Sequence, residues 1–470
     1  MMLLVAYLTV VGIRGGFTKS TRPINLNNAG KFVDKPIEMA AVLNTPFCLI
    51  RTIDKKPPQK YDFFTSEVAL NKVYQPIYYP TGSRKPKHDN VMIIILESFS
   101  REFIGSLNPD ATESYTPFLD SLIENSLAFS NAYANGMKSI DGLPAVVSSI
   151  PALVHPFVLS HGSTNNINSV ASLLKTKGYN STYYYGGPNG SMGYDAFVNL
   201  AGFDQYVGKD EYGNNDDYDG VWGIWDERFF QFTADKMKNV EEPFCNVLMS
   251  VSSHHPFKVP DNFREQFNHE DPYGRVIPYT DYALKRFFEK VATTEWFENT
   301  LFVITADHSA GHYAPQFKTT VGLFAIPIIF YKPDGSFKGK SNTVAQQIDI
   351  LPTVLNYLNF DQPYVAFGND LLNDSSTHYA MNYVSGSYQI VSNEYALQFD
   401  ENRTFGLYRY QEDPLMERNL MSELPRIRES LELNLKARIQ QYSNRLADNK
   451  MTIEKEHQSA MQSHLQLKPQ

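Results

Sequence analysis

From residue 90 onwards, short apolar runs alternate with longer segments in which apolar and polar residues recur at helical spacing. The apolar runs have the length of β-strands and comprise residues 91–96, 182–185, 247–251, 301–305 and 326–331. The intervening segments are predicted helices at residues 117–125, 167–177, 226–238, 281–296 and 345–358. Strands that are apolar on both faces are typical of parallel sheets covered by helices. The alternation therefore predicts an α/β fold with a doubly wound, mostly parallel sheet flanked by helices.

The chain begins with an almost uninterrupted apolar run, MMLLVAYLTVVGI. The run is shorter than the roughly 20 residues that span a bilayer. No basic residue precedes it and no small-residue cleavage signature follows it, so it does not resemble a secretory signal. One interpretation is a helix buried at the N-terminus. We favour the other interpretation, in which residues 1–16 are the end of a transmembrane helix of a longer membrane protein.

The remaining sequence divides into segments of different composition. Residues 17–88 are rich in Pro, Lys and Asn and contain few strand-like runs, which predicts a juxtamembrane connector with a helical patch near residues 35–51. The alternating pattern assigns residues 89–380 to the main α/β domain. Residues 381–450 predict a small antiparallel sheet followed by a charged helix, and residues 451–470 a polar tail.

Composition and charge exclude several classes of protein. The 470 residues are 42% hydrophobic, which is typical of a globular chain with a sizeable core. The formal net charge of −9 provides no basic field for a nucleic-acid backbone, so we expect no nucleic-acid partner. Cys48 and Cys245 are the only cysteines, which excludes a disulfide scaffold and a four-sulfur zinc site.

Three of the apolar runs lead into ionisable residues. The first is followed by Glu97, the run at 301–305 by Asp307 and His308, and the run at 247–251 by His254 and His255. In an open α/β sheet, ligands bind beyond the carboxyl ends of the strands. Carboxylate and imidazole groups together suit a divalent cation, so the sequence predicts a metal site at this edge.

The segment NGMKSIDGLP contains a candidate nucleophile, Ser139. Gly136 and Gly142 permit a tight turn, and the apolar residues that follow predict a helix. Ser139 would then lie near a helix N-terminus, where the helix dipole favours an alkoxide, and Lys138 adds positive charge nearby. A bound cation would lower the pKa of the hydroxyl further. The alternative is that Ser139 only caps the helix.

These segments together resemble one protein family. They are NVMIIILESFS, GMKSIDGLPA, WGIWD, SSHHPF, ITADHSAGH and DILPT. In this order and spacing they look like the extracytoplasmic domain of lipoteichoic-acid-synthase-like proteins, which are sulfatase-like members of the alkaline phosphatase superfamily. The resemblance covers about residues 90–374. It implies an alkaline-phosphatase-like fold, with residues 89–380 as the catalytic domain.

The resemblance also implies roles for individual residues. The implied metal ligands are Glu97, Ser139, Asp307 and His308, with one divalent cation that is Mn, Mg or Zn. Ser139 would form a covalent phospho-enzyme intermediate, His254 would contact the transferred phosphate group, and Trp222 would line the head-group pocket. In the reaction His254 would either donate a hydrogen bond to a phosphoryl oxygen or transfer a proton, and the sequence leaves both roles open. The family further implies transmembrane helices, a bacterial membrane location with an extracytoplasmic catalytic domain, a phospholipid donor, and an envelope glycan or lipid acceptor.

Two departures from the family pattern leave the donor open. The Gram-positive synthases have Thr where this chain has Ser139, and an Arg two residues after the pocket Trp, where this chain has Ile224. Both hydroxyls can perform the same reaction, but phosphatidylglycerol does not follow as the donor. A phosphoglycerol-type transferase is the favoured function. A phosphoethanolamine transferase and a phosphodiesterase or phosphatase of the same superfamily are the alternatives.

Sulfate-ester hydrolysis is disfavoured by the residues after the candidate nucleophile. A sulfatase makes its formylglycine from a Cys or Ser within a (Cys/Ser)-x-Pro-x-Arg pattern. Here Asp141 and Leu143 stand at the Pro and Arg positions. His312, four residues after His308, is either a partner behind the metal ligands or part of another site.

Overall fold

The computed structural model describes residues 1–14, 26–53, 57–80, 84–373 and 376–453. Parts of the predicted connector and most of the predicted polar tail, residues 454–470, lie outside the described residues. The helices are α1 (Met2–Arg14), α2 (Met39–Val42), α3 (Thr45–Thr52), α4 (Glu67–Val73), α5 (Pro117–Ile123), α6 (Ser139–Ser148), α7 (Val170–Lys175), α8 (Tyr194–Leu200), α9 (Lys209–Tyr212), α10 (Asp226–Met237), α11 (Pro272–Val291), α12 (Ile350–Tyr357) and α13 (Pro425–Ala447). The strands are β1 (Ile77–Tyr78), β2 (Asn90–Leu96), β3 (Ser126–Tyr133), β4 (Thr182–Tyr185), β5 (Gln205–Val207), β6 (Cys245–Met249), β7 (Thr300–Ala306), β8 (Ile328–Tyr331), β9 (Gly339–Gln346), β10 (Tyr364–Val365), β11 (Ala380–Val384), β12 (Ser387–Val391), β13 (Ala396–Phe399) and β14 (Thr404–Tyr408).

An eight-stranded sheet forms the centre of the fold, in the order β5-β4-β6-β2-β7-β8-β3-β9. The strands β2, β6 and β7 pair in parallel, and every residue of all three is buried. Strand β8 runs antiparallel to both of its neighbours, β7 and β3. The predicted fold class, a mostly parallel sheet flanked by helices, is therefore confirmed, with one antiparallel strand where the sequence pattern suggested a parallel one.

Two predicted helices have different bounds in the structure. The helix predicted at 281–296 begins at Pro272 and ends at Val291. Its N-terminus is fixed by Asp271, whose side chain accepts a hydrogen bond from the Gly274 backbone N–H at 2.7 Å. The helix predicted at 345–358 begins only at Ile350, because the preceding residues complete β9 and a short 3₁₀ turn.

The C-terminal region has a small core of its own. Strands β11 to β14 form a four-stranded antiparallel sheet in chain order, as the sequence predicted. Helix α13 packs on this sheet through Leu431, Leu435 and Ile439, which are buried together with Leu397 and Phe399 of β13. This region therefore adds a sheet and a helix beside the main domain.

The predicted connector lies against the main domain at several places. Strand β1 pairs antiparallel with β10. Farther towards the N-terminus, the Asn199 side chain at the end of α8 donates hydrogen bonds to the carbonyls of Gly30 and Val33 at 2.9 and 2.7 Å. Lys31 forms an ion pair at 3.3 Å with Asp195, which is buried. The contacts of Gly30, Lys31 and Val33 hold this part of the connector against α8.

Helix α1 has an exposed apolar surface. Among its side chains, those of Leu3, Leu4, Val5, Leu8 and Val10 are each more than half exposed. This differs from the interpretation in which the helix is buried in the domain. Within the described ranges, no helix combines the length and apolar character needed to cross a bilayer. The assignment of residues 1–16 to a membrane helix stays a prediction.

Candidate active site

The predicted ligands on β2 and β7 lie side by side at one edge of the sheet. In the parallel register, Leu96 of β2 faces Ala306 of β7, so Glu97 and Asp307 leave neighbouring strand ends together. Glu97 is 4% exposed and Asp307 fully buried. The Nε2 atom of His308 lies 3.6 Å from Glu97 Oε1 and 3.6 Å from Asp307 Oδ2. The structure thus brings two carboxylates and an imidazole to one point.

The hydrogen bonds of His308 determine which ring nitrogen faces the carboxylates. Its Nδ1 atom lies 2.8 Å from the Ser309 carbonyl oxygen, which can only accept a hydrogen bond. Nδ1 therefore carries a proton. Nε2 is left to face Glu97 and Asp307, which is the orientation of an imidazole that binds a metal.

One carboxylate oxygen of Asp307 is buried without a donor. Its Oδ1 atom accepts hydrogen bonds from the backbone N–H groups of Ser98 at 2.8 Å and His308 at 2.7 Å. Its Oδ2 atom has no hydrogen-bond partner among the described residues. A buried carboxylate oxygen without a partner is costly, and a cation at this position would remove the cost.

The charges of the cluster also favour a cation. Burial together with the Glu97 carboxylate raises the pKa of Asp307 above its ordinary value. Burial disfavours the charged form of His308, but the Asp307 and Glu97 carboxylates outweigh it and raise the pKa of this imidazole. Two buried carboxylates thus require positive charge between them, which a divalent cation would supply.

Ser139 is the first residue of α6, and its hydroxyl faces the cluster. Its Oγ atom donates to Glu97 Oε2 at 3.1 Å and lies 3.4 Å from His308 Nε2. The N-cap of α6 is Lys138, so the alternative in which Ser139 is only a helix cap is wrong. Gly142 allows the close approach of this helix, because a Cβ atom there would lie 2.5 Å from the Asp307 carbonyl oxygen.

The four predicted ligands fit a divalent cation. The ligand atoms of Glu97, Asp307 and His308 all lie within 4.8 Å of one another. The Ser139 hydroxyl completes a set of two carboxylates, one imidazole and one oxygen donor, which suits Mn²⁺, Mg²⁺ or Zn²⁺. The described part of the chain contains one such group of potential ligands.

The rings of Trp222 and His254 are in close contact and tilted relative to each other. Their ring centroids are 3.8 Å apart at an interplanar angle of 37°. The indole Nε1–H of Trp222 donates to the His255 carbonyl oxygen at 2.7 Å, which fixes the indole on the loop that carries both histidines. Burial lowers the pKa of His254, which favours the neutral form of this imidazole. The negative charge of Glu97 opposes this effect, because it raises the pKa of His254.

Three other residues that the sequence analysis discussed are not part of the ligand cluster. The Lys138 side chain is exposed at the start of α6. His312 Nε2 lies 3.1 Å from the Ser309 hydroxyl, and the Ser309 carbonyl contacts His308, which places His312 behind the cluster. Ile224 is fully buried, with its backbone N–H bonded to the Gly186 carbonyl at 2.9 Å. Its side chain offers no charge for a head group.

Asp226 supports the site from a position that sequence reasoning did not single out. It is 1% exposed at the start of α10. Its carboxylate accepts hydrogen bonds from the backbone N–H groups of Val251 at 2.8 Å and Ser252 at 3.0 Å. These residues begin the loop that leads to His254. The only sequence signal was the position of Asp226 at the end of the WGIWD segment.

Comparison with known proteins identifies the relatives of this chain. Residues 89–360 match the Sulfatase family. The lipoteichoic acid synthase-like protein YvgJ of Bacillus subtilis (strain 168) is 25% identical over 320 residues, which are 63% of this chain and 51% of YvgJ. Lipoteichoic acid synthase 1 of the same organism is 26% identical over 316 residues, or 62% of this chain and 48% of the synthase. The chain spans about half the length of these relatives.

Solved structures agree on the fold. A Vibrio parahaemolyticus protein of the alkaline phosphatase superfamily superimposes with a TM-score of 0.70 at 25% identity, covering 80% of this chain and 91% of that one. The lipoteichoic acid synthase LtaP from Listeria monocytogenes gives a TM-score of 0.66 at 23% identity, covering 81% of this chain and 98% of LtaP. The predicted resemblance at family level is therefore confirmed.

Proposed function

The chain is an enzyme of the sulfatase family, within the alkaline phosphatase superfamily, and we propose that it is a metal-dependent transferase of phospho-head groups. In this proposal, a phosphoglycerol-type group moves from a phospholipid donor to the hydroxyl of an envelope glycan or lipid. The observation that carries the proposal is the position of the Ser139 hydroxyl, 3.1 Å from Glu97 in a buried cluster with Asp307 and His308. The relatives named as lipoteichoic acid synthases support the same reaction class.

The reaction would have two steps, and Ser139 is the nucleophile in the first. Its Oγ atom attacks the phosphorus of the donor, forming an Oγ–P bond, and the P–O bond to diacylglycerol breaks. The proton released from Oγ is balanced by the proton that the departing diacylglycerol oxygen takes up. A divalent cation held by Glu97, Ser139, Asp307 and His308 would lower the pKa of the hydroxyl and neutralise charge on the phosphoryl oxygens.

His254 is suited to the second step. Its Nδ1 atom lies 3.3 Å from the His255 carbonyl oxygen and therefore carries the proton of the neutral ring. Its Nε2 atom can accept the proton of the acceptor hydroxyl as that oxygen attacks the phosphoserine. The Oγ–P bond of Ser139 then breaks, and the Oγ atom gains a proton as His254 gives up the one it received, which restores the hydroxyl and the neutral imidazole. Trp222, whose ring is in contact with that of His254, would line the pocket for the transferred head group.

Sulfate-ester hydrolysis does not follow from the family name. The formylglycine pattern is missing around Ser139, because Asp141 and Leu143 replace its Pro and Arg. Asp141 is also largely buried, and burial raises its pKa to about 6. A hydroxyl nucleophile facing carboxylates favours phosphoryl transfer through an ordinary serine.

Labelled phospholipids would test the proposed reaction. The full chain in membrane vesicles with Mn²⁺ is expected to release diacylglycerol and to pass labelled glycerol phosphate to an acceptor, read by mass spectrometry. Phosphatidylglycerol and phosphatidylethanolamine are compared in parallel because Ile224 leaves the head-group preference open. Transfer to water alone would identify a phosphodiesterase. A lack of diacylglycerol release from every phospholipid would contradict the proposed function.

We further propose that α1 belongs to a membrane anchor that holds the catalytic domain on the extracytoplasmic side of a bacterial inner or cell membrane. Support comes from the apolar side chains of α1, which are exposed and free to contact lipid.

Replacing Leu4 and Leu8 by Glu is expected to lower binding of the full chain to phospholipid vesicles at least about tenfold, because charged side chains are costly in hydrocarbon. Vesicle flotation measures this. Leu433→Glu, at an exposed position of α13, is the matched control, and an equal loss in both variants would argue against the anchor.

A further inference from the structure

Gln347 connects two parts of the active site through one buried side chain. It is fully buried in the turn between β9 and α12. Its Nε2 atom donates hydrogen bonds to the carbonyl oxygens of Ala306 and Asp307, both at 2.7 Å. Its Oε1 atom accepts a hydrogen bond from the backbone N–H of Asn135 at 2.8 Å. Both donors and the acceptor of the carboxamide are therefore used.

These partners belong to the two halves of the proposed site. Ala306 and Asp307 are at the end of β7, directly before His308. Asn135 lies four residues before Ser139, in the turn that enters α6. The side chain of Asn135 in turn accepts a hydrogen bond from the backbone N–H of Ile348 at 3.3 Å. The turn that carries the nucleophile is thus tied to the strand that carries the metal ligands.

A second contact holds the same two segments together farther along the helix. Gly142, one turn into α6, lies so close to the Asp307 backbone that a Cβ atom would be 2.5 Å from the Asp307 carbonyl oxygen. Asn135, which Gln347 holds, and Gly142 are therefore two points at which the nucleophile segment is held near Asp307. Ser139 lies between them in the sequence, so its backbone position relative to Asp307 depends on both contacts.

We propose that Gln347 is a positioning residue that sets the distance between the Ser139 hydroxyl and the cluster of Glu97, Asp307 and His308. The chemistry of this inference rests on the proposed function. A carboxamide suits the task because one planar group offers two N–H donors and an oxygen acceptor. Reaction rates depend steeply on such distances, since a displacement of about 1 Å at a reacting group can cost about 100-fold.

The neighbouring Gln346 provides a matched control. It is also fully buried. Its carboxamide bonds to the backbone of Met381 on β11, accepting from the N–H at 3.0 Å and donating to the carbonyl at 2.7 Å. It also makes a longer contact of 3.5 Å with the carbonyl oxygen of Ala134, which the Asn382 side chain holds independently at 2.7 Å. Residue type, burial and bonding to backbone are the same as for Gln347, but the two short hydrogen bonds go to the C-terminal sheet. Loss of this amide should lower stability without moving the nucleophile.

Comparison of Gln347→Leu with Gln346→Leu tests the inference. The melting temperature should fall by a similar amount in both variants. Gln347→Leu is expected to lower kcat about 10- to 100-fold and to weaken Mn²⁺ binding by a similar factor, as loss of a residue that supports metal ligands does. KM should change little, because the substrate contacts remain. Gln346→Leu should keep kcat and Mn²⁺ affinity within about twofold of wild type, since Asn382 still holds the Ala134 carbonyl and the short hydrogen bonds of Gln346 go to Met381.

Each outcome decides for or against the positioning role. Equal falls in kcat and Mn²⁺ affinity for both variants would make Gln347 a structural residue only. Wild-type kcat and affinity in Gln347→Leu would also overturn the inference.

If Gln347→Leu does not fold, Gln347→Glu keeps the acceptor for the Asn135 N–H while removing the two donors, and the same fall in kcat is expected. Mn²⁺ binding is measured from the electron paramagnetic resonance signal of the free ion, so this measurement does not depend on enzyme activity. A wild-type chain that binds Mn²⁺ but transfers nothing would therefore contradict the proposed function and still test Gln347.

Discussion

Ser139→Ala should lower the rate of head-group transfer by at least about 1000-fold, because loss of a covalent nucleophile removes the first chemical step. The Ser139 hydroxyl lies between two members of the cluster, 3.1 Å from Glu97 Oε2 and 3.4 Å from His308 Nε2. Ser139→Thr keeps a hydroxyl and should retain measurable activity. Release of diacylglycerol from a labelled phospholipid gives the rate for each variant.

Ser148→Ala provides the control for this prediction. Ser148 is 3% exposed at the other end of α6, and its hydroxyl has no hydrogen-bond partner among the residues that the structure describes. Its loss should leave the rate unchanged, while both variants keep the melting temperature within a few degrees. If Ser139→Ala turned over at the wild-type rate, direct attack by water would replace the covalent mechanism.

Asp307→Asn should weaken Mn²⁺ binding at least about 100-fold. Loss of a residue that only supports a metal ligand costs about 10- to 100-fold, and loss of a charged ligand should cost more. The substitution keeps an oxygen to accept the Ser98 and His308 N–H bonds. It removes the negative charge of the buried Oδ2 atom, which we expect to bind the cation. Titration calorimetry measures the affinity, and activity should fall together with it. Removal of metal by a chelator should have the same effect on the wild-type chain and be reversed by added Mn²⁺.

Asp281→Asn is the matched control for Asp307. Asp281 is 2% exposed and likewise accepts two backbone hydrogen bonds, from Phe118 and Leu119, each at 2.9 Å. It supports the start of α5 and lies outside the ligand cluster. Its substitution should lower stability but leave Mn²⁺ affinity unchanged. If Asp307→Asn bound Mn²⁺ as tightly as wild type, the assignment of Asp307 as a ligand would be wrong.

The central strands could be predicted because they are buried on both faces. Strands β2, β6 and β7 are continuous apolar runs, and the structure has them within two residues of the predicted bounds. Strands β3 and β9 were missed because polar residues interrupt them, Ser130 and Asn131 in β3 and Ser341 and Asn342 in β9. β9 is at the edge of the sheet, where one side of the strand is in contact with water, so its sequence has no continuous apolar run.

The candidate ligands could be predicted because the position of a strand end is visible in the sequence. Glu97 and Asp307 follow buried strands directly, and parallel pairing brings them together. Gln347 could not be found in this way. Its partners are backbone groups of Asn135 and Asp307, and a hydrogen bond to a backbone group leaves no mark in the partner's residue type. The same reason applies to Asp226, which bonds to the backbone of the loop before His254.

Trapping the covalent intermediate tests the account most directly. The full chain is mixed with Mn²⁺ and labelled phosphatidylglycerol without acceptor, quenched in acid, and examined by intact-mass spectrometry and peptide mapping. We expect an adduct with the mass of glycerol phosphate on the peptide that contains Ser139, absent from Ser139→Ala and lost when an acceptor hydroxyl is supplied. Continued release of diacylglycerol with no adduct, or an adduct on another residue, would contradict the phosphoserine mechanism.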